Sequence, residues 1–333
     1  MLVVTPNLCF DRTLHVDAFE AGTVSRPSSV EVTAGGKGVN VARTLQDLGH
    51  TAQLIRFVGE SGGEALRALV ADERLDLDAV PIAGAVRSAT IVIEKSGRAT
   101  VLNEPGPTVG TRDLAVLIRR VERRLDSHRA QGATARMMVC SGSLPPGLPA
   151  DTFGRLTDVA AKSGALAVVD SAREVLAQTL AYRPDLVTPN LEEVEGLSTG
   201  RVTEASTQGT GQAETVARCT AAAGVLLDRG AQRAVVTAGS HGALFADALG
   251  SVWLPTPAVV VANPIGAGDS FVGGLAFKLA EQLTARLALT RDSWVAAARQ
   301  GVCVASAAVE RTRAGRVDPR RATALHDEVL VGL

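Results

Sequence analysis

The sequence predicts an α/β fold built on a mainly parallel sheet with helices on both faces, and three observations carry that prediction. From Arg112 onward helical and strand-like patterns alternate along the chain, the rhythm of strands joined by crossover helices. Two glycine-rich junctions, Ala34–Asn40 and Asn263–Ser270, each open a helical pattern, as strand-to-helix turns do. Two early stretches of two-residue periodicity break the rhythm and point to a small separate sheet.

Taken in order, Met1–Thr5 is a short strand that Pro6-Asn7 ends, with Asp11, Arg12 and Thr13 following at a strand end, where α/β proteins place ligand-binding groups. Thr13–Phe19 and Ser29–Thr33 alternate as half-exposed antiparallel strands do. Val39–Leu48 and Glu64–Leu75 have helical patterns. Alternation returns over Ser88–Glu94 and Ala99–Asn103, split by a Ser96-Gly97 turn. Helices follow over Arg112–Leu125, Asp151–Ser163 and Ala213–Asp228. Strands follow over Arg136–Cys140, Ala165–Asp170, Leu186–Thr188 and Arg233–Thr237. Gly200–Gly211, rich in Thr, Ser, Gln and Gly, is expected as a surface loop. The β-branched run Ala258–Ala262 is expected as a buried strand. Val272, Leu275, Ala276, Leu279 and Leu283 then recur at helical spacing, so a helix should begin near Asp269. No repeat of 20–50 residues exists to suggest a solenoid.

With 333 residues, 46% hydrophobic and 21% charged, the chain can bury a large core. A net charge of −1 without long charged runs points away from nucleic acid or an anionic membrane as partner. No apolar run reaches the ~18–20 residues that span a bilayer, and Met1–Phe10 has a strand's pattern, not a signal peptide's. Cys9, Cys140, Cys219 and Cys303 lack metal-ligand or C-x-x-C spacing, so buried reduced thiols and a cytoplasmic location are expected.

The chemistry concentrates at Asn263-Pro264-Ile265-Gly266-Ala267-Gly268-Asp269-Ser270. Glycines let backbone N–H groups approach a ligand, and a helix N-terminus favours an anion such as phosphate. Asp269 is open to two readings there: an N-cap of the helix, or a base aimed at the atom that attacks the phosphate. His241 reads as a turn residue.

Five segments in order resemble the ribokinase-like (PfkB) family of carbohydrate kinases: Ala34-Gly35-Gly36-Lys37-Gly38-x-Asn40, Ser141-Gly142-Ser143-Leu144-Pro145-Pro146-Gly147, Val169-Asp170-Ser171, Pro189-Asn190-x-x-Glu193 and Gly266-Ala267-Gly268-Asp269. With Asn7-x-x-x-Asp11 and Asn103-Glu104-Pro105-Gly106-Pro107, the chain is most similar to the branch of 1-phosphofructokinases, tagatose-6-phosphate kinases and minor 6-phosphofructokinases. The resemblance implies a ribokinase-like core (residues 1–11, 34–85 and 105–333) and a β-sheet lid (12–33 and 86–104), with lids often pairing into a homodimer. It implies transfer of the ATP γ-phosphate to a phosphorylated ketohexose. The best match is fructose 1-phosphate giving fructose 1,6-bisphosphate, with fructose 6-phosphate and tagatose 6-phosphate as alternatives.

The same resemblance assigns roles. Asp269 would be the general base, and the N–H groups of Ile265, Gly266, Ala267 and Gly268 an anion hole. Asp11, Gly35, Gly36, Lys37, Asn40 and Ser141 would line the sugar site, with Arg26 and Arg87 gripping its phosphate. Thr188, Asn190, Thr237, Gly239, Gly266 and Gly268 would face the nucleotide, and Asn190 and Glu193 would hold Mg²⁺ through water. Two positions depart from the branch: Thr188 stands where lysine is usual, and Pro264 where threonine is usual. Those departures keep open a reading of another class, a kinase-like protein that binds sugar or nucleotide and regulates without turnover.

Overall fold

The computed structural model describes residues 1–132, 136–199 and 210–331. Its strands are β1 (Leu2–Val4), β2 (Cys9–Val16), β3 (Ser29–Gly35), β4 (Gln53–Ser61), β5 (Asp76–Ala85), β6 (Arg87–Glu94), β7 (Ala99–Asn103), β8 (Met137–Ser141), β9 (Leu166–Asp170), β10 (Leu186–Val187), β11 (Arg233–Thr237), β12 (Gly242–Asp247) and β13 (Gly250–Pro255). Its helices are α1 (Lys37–Asp47), α2 (Gly63–Asp72), α3 (Thr111–Ala130), α4 (Thr152–Lys162), α5 (Arg173–Leu180), α6 (Leu191–Thr199), α7 (Gln212–Asp228), α8 (Ala267–Thr284), α9 (Arg291–Val309) and α10 (Pro319–Val331).

The large sheet runs β13-β12-β11-β10-β9-β8-β1-β4-β5. The seven strands from β11 to β5 are parallel, while β12 and β13 form an antiparallel hairpin at one edge. Successive residues of each strand point to opposite faces, and the buried side chains follow that alternation. Leu2, Val4, Met138, Cys140 and Val169 join one cluster with α3, α4, α5 and α7. Val3, Val139, Val168 and Val235 join a second cluster with α1, α8 and α9. Glycines let the second layer pack tightly: a Cβ on Gly273 would lie 2.7 Å from Thr44 of α1, and one on Gly274 2.6 Å from Val304 of α9.

A smaller sheet, β3-β2-β6-β7, stands apart from this core. The alternating stretches of the sequence form it, with β2 and β6 parallel and the outer pairs antiparallel.

One expected strand is absent. Ala258–Ala262 is irregular backbone between β13 and α8, with Val260 85% exposed and Val261 56% exposed. The hairpin β12–β13 already closes that edge of the sheet, and Pro255 and Pro257 stop the ladder. The segment is anchored instead by the Ala262 and Asn263 N–H groups, which both donate to the Val309 carbonyl. The expected 200–211 loop lies outside the described residues over 200–209. Cys9, Cys140, Cys219 and Cys303 are buried thiols. Among the described residues no helix is long and apolar enough to cross a membrane.

Candidate active site

In the strand order, β1 lies between β4 and β8, and the chain winds outward from it in both directions. Such a switch point leaves a crevice at the C-terminal strand ends. Thr5 and Asn7 follow β1, Gly142 and Ser143 follow β8, Asp170 closes β9, and Asn190 follows β10. These groups, distant in sequence, meet at one edge because every parallel strand ends there. The small sheet closes the other side, contributing Asp11 from β2 and Arg87 from β6. The resulting cavity is about 840 Å³ and includes Asp11, Lys37, Asn40, Arg87, Glu193 and Asp269 in its walls. A second, more apolar cavity of about 650 Å³ lies beyond the start of α8, against Thr237, Gly239, Phe271 and Val302. The two share Pro264, Ala267 and Gly268, so the first turn of α8 stands between them.

That turn removes one of the two readings of Asp269, the N-cap. The N-cap of α8 is Gly266, in the left-handed region at φ 80°, and Asp269 is the third helical residue. Its carboxylate is therefore not required as a cap. It lies 6% exposed in the cavity wall, and its Oδ2 accepts a hydrogen bond from Asn40 Nδ2 at 2.8 Å. Burial pushes its pKa up to about 7. Lys37 and the Asn40 hydrogen bond work against that rise, and the negative charges of Asp170 and Asp11 add to it.

Of the four N–H groups expected to form an anion hole, the loop itself uses two. Ile265 N–H donates to Asn263 Oδ1 at 2.9 Å, and Ala267 N–H donates to the Pro264 carbonyl at 3.3 Å. Gly266 and Gly268 remain in the cavity wall beside Asp269.

The AGGKG segment brings its residues to the site in different ways. Asp11 lies over Gly35 so closely that a Cβ there would fall 2.1 Å from Asp11 Oδ1. Burial raises the Asp11 pKa, and the Cys9 thiol donates to its Oδ1 at 3.3 Å. Gly36, at φ 104°, turns the chain into α1. Lys37 Nζ lies 3.3 Å from Asp170 Oδ2 and 3.8 Å from Glu193 Oε1. Ser141 is fully buried and donates to the same Asp170 oxygen at 3.1 Å, so it shapes the site from behind. Asn190 and Glu193 bond reciprocally: Asn190 N–H donates to Glu193 Oε2 at 2.9 Å, and Glu193 N–H donates to Asn190 Oδ1 at 2.7 Å. This box begins α6.

The other expected residues divide between the cavity walls and positions away from them. Arg87 is in the wall, but its guanidinium already donates to the Glu104 carbonyl at 3.1 Å and the Asn7 carbonyl at 3.3 Å. Arg26 is exposed in the β2–β3 connection and lines none of the cavities. Thr188, the residue after β10, is buried with its hydroxyl unpartnered and lines none of the cavities. Pro264 borders both cavities. Asn7, whose Nδ2 donates to Ser143 Oγ at 3.0 Å, and Asp170, which accepts from Ser141, stand in the resembling motifs, which alone give them no role. Arg43 and Glu73, behind Asn40, carried no sequence signal as site residues. Their partnership spans 30 positions, which periodicity does not reveal.

The fold is ribokinase-like: phosphofructokinase-2 of Escherichia coli superposes with a TM-score of 0.82 at 27% identity, covering 99% of both chains. A profile of the pfkB family carbohydrate kinases matches residues 2–321, and the chain belongs to that family. It is 31% identical over 289 residues to 1-phosphofructokinase of Xanthomonas campestris, covering 85% of each chain. It is 28% identical over 287 residues to tagatose-6-phosphate kinase of Staphylococcus epidermidis, covering 85% of this chain and 86% of the relative.

Proposed function

We propose that the protein is an ATP-dependent kinase that transfers the γ-phosphate to a hydroxyl of a phosphorylated ketohexose, with fructose 1-phosphate the best candidate acceptor. The observation that carries this is Asp269, buried in the wall of the polar cavity within the first turn of α8, next to the Gly268 that both cavities share. The more polar cavity takes the sugar and the apolar one the adenine, an arrangement that puts the phosphates across Gly266–Gly268. Asp11 and Asn40 orient the sugar. Asp269 accepts the proton of the attacking hydroxyl as its oxygen bonds to the γ-phosphorus, and the bond to the ADP oxygen breaks with its electron pair leaving on ADP. The Gly266 and Gly268 N–H groups and Lys37 face the charge on the transferred group.

Among the described residues, no three or more His, Cys, Asp or Glu side chains come together to cage a metal. The polar atoms of Asn190 and Glu193 largely answer each other. That donor set fits an ion that keeps its own water, as Mg²⁺ does, and Asn190 and Glu193 would hold it through water. When bound, it neutralises the phosphate oxygens.

ADP release measured with fructose 1-phosphate, fructose 6-phosphate, tagatose 6-phosphate and unphosphorylated sugars tests this reading. Turnover on a phosphorylated ketohexose, highest with fructose 1-phosphate, is expected. ATP binding without turnover on any sugar would favour the regulatory reading that Thr188 and Pro264 raise. Arg87→Ala should raise the KM of a phosphosugar more than that of a plain sugar, and an equal rise would remove its phosphate-gripping role.

The same reading includes a homodimer through the small sheet. β3 and β7 are its open edges, and Val30, Val32, Val101 and Leu102 on them are 45–56% exposed. A second copy covering those strands would remove both liabilities. Sedimentation should give a dimer that Val32→Asp weakens; a monomer at assay concentrations would rule this out.

A further inference from the structure

Among the described residues, Asn40 is the one side chain hydrogen-bonded to the Asp269 carboxylate, and its orientation is set from behind. An asparagine amide presents an acceptor on one side and donors on the other. Flipped, Asn40 would point its oxygen at the ionised carboxylate, which has no proton to donate. Arg43 Nη1 donates to Asn40 Oδ1 at 2.9 Å, and a guanidinium can only donate. That contact forces the amide N–H₂ towards Asp269. Asp269 Oδ2 takes the amide hydrogen bond, which leaves Oδ1 for the substrate proton.

Arg43 is itself fixed on every side. It is 1% exposed, and its Nε and Nη2 fork onto the two Glu73 oxygens at 2.7 Å each. Nη2 also reaches the Ala34 carbonyl at 2.7 Å, just before Gly35-Gly36. Glu73 in turn receives Arg313 and Arg316 at 3.0 Å each. These arginines belong to the segment whose Gly315 presses on Asn40 so closely that a Cβ would fall 2.6 Å from Asn40 Cα. Burial alone would raise the Glu73 pKa, but Arg43 and the two other guanidiniums outweigh it and hold it low, so the hub is ionised. Neither Arg43 nor Glu73 lines the cavities.

We propose that Arg43, clamped by Glu73, is a positioning residue that locks the Asn40 amide towards Asp269 and so sets the base for proton transfer. The proposal rests on the reading of Asp269 as the base. Its test follows turnover with Mg-ATP and fructose 1-phosphate in Arg43→Gln, Arg43→Lys, Glu73→Gln, Asn40→Ala and the Arg43→Gln/Asn40→Ala pair. Partners one step behind a site residue commonly act at the ~10–100-fold level, and kcat of Arg43→Gln should fall by that amount with the KM of ATP unchanged. The acid limb of the kcat profile should move to higher pH, because losing a hydrogen bond to the charged form raises a carboxylate's pKa. Arg43→Gln should add nothing in the Asn40→Ala background. Arg43→Lys keeps the charge but cannot reach both partners, so it should shift the acid limb too, and it carries the test should Arg43→Gln not fold. A purely structural role would lower the melting temperature, leave the acid limb in place and give additive effects on kcat; that result overturns the proposal. Asp269→Asn, assayed alongside, separates the two failures: full turnover there would sink the base itself, whereas an inactive Asp269→Asn with an unmoved limb in Arg43→Lys sinks only the positioning role.

Discussion

Replacing Asp269 with asparagine is expected to lower kcat by ~10²–10⁴-fold while the KM of the sugar changes little. Asparagine keeps the size of the side chain and can still meet Asn40, but it cannot accept a proton. The wild-type pH profile should carry the mark of the same group. Burial holds the Asp269 carboxylate at about 7, far above its ordinary 3.8. A base works only when ionised, so kcat/KM should fall as pH drops through 7, with roughly a tenth of the maximum left one unit below. This acid limb should be missing from the residual activity of Asp269→Asn. Undiminished turnover of the variant, or a wild-type profile flat from pH 5 to 8, would place the base elsewhere.

The second large effect is expected at Gly35. An alanine methyl there would fall 2.1 Å from Asp11 Oδ1 and 2.8 Å from Asp11 N. The Asp11 side chain can swing away, but its backbone is held where β2 pairs with β3, Asp11 opposite Thr33 and Cys9 opposite Gly35. Gly35→Ala should therefore displace the carboxylate that orients the sugar. A hydrogen bond to a charged group contributes about 1.5–3 kcal/mol, so the KM of the sugar should rise roughly ten- to hundredfold, with the KM of ATP close to wild type. An equal rise in both constants would mean that the methyl disturbs the whole cleft and not the sugar side alone.

Both predictions rest on residues that the sequence announced, and the reason is physical. A glycine at a strand-to-helix turn, or an aspartate just inside the helix that follows, is a local pattern that survives without knowledge of the fold. The alternation of strand and helix likewise made the parallel sheet legible, because each period reflects one buried face. What failed to show were properties set by neighbours. Ala258–Ala262 has a buried strand's composition, yet Val260 lies in solvent because β13 already ends the sheet. β4 and β5 escaped the sequence reading, although their ladder runs from Gln53 opposite Asp76 to Ser61 opposite Ala85. Arg26 and Arg87 looked equivalent as lid arginines; only Arg87 reaches the cavity. Thr188 has the composition of a weakened phosphate contact, but its burial is set by neighbours that the sequence does not reveal. The Arg43–Glu73 clamp draws on α1, the residue after α2 and the Arg313–Arg316 segment, a meeting that only the packed chain creates.

The central claim is that the cleft moves a phosphoryl group onto a sugar hydroxyl and not onto water. Phosphorus NMR of the protein with ATP, Mg²⁺ and fructose 1-phosphate tests it most directly. A second sugar phosphomonoester growing in step with ADP, one for one, is the predicted result. ADP accompanied by inorganic phosphate and an unchanged sugar, or no ADP at all, would contradict it.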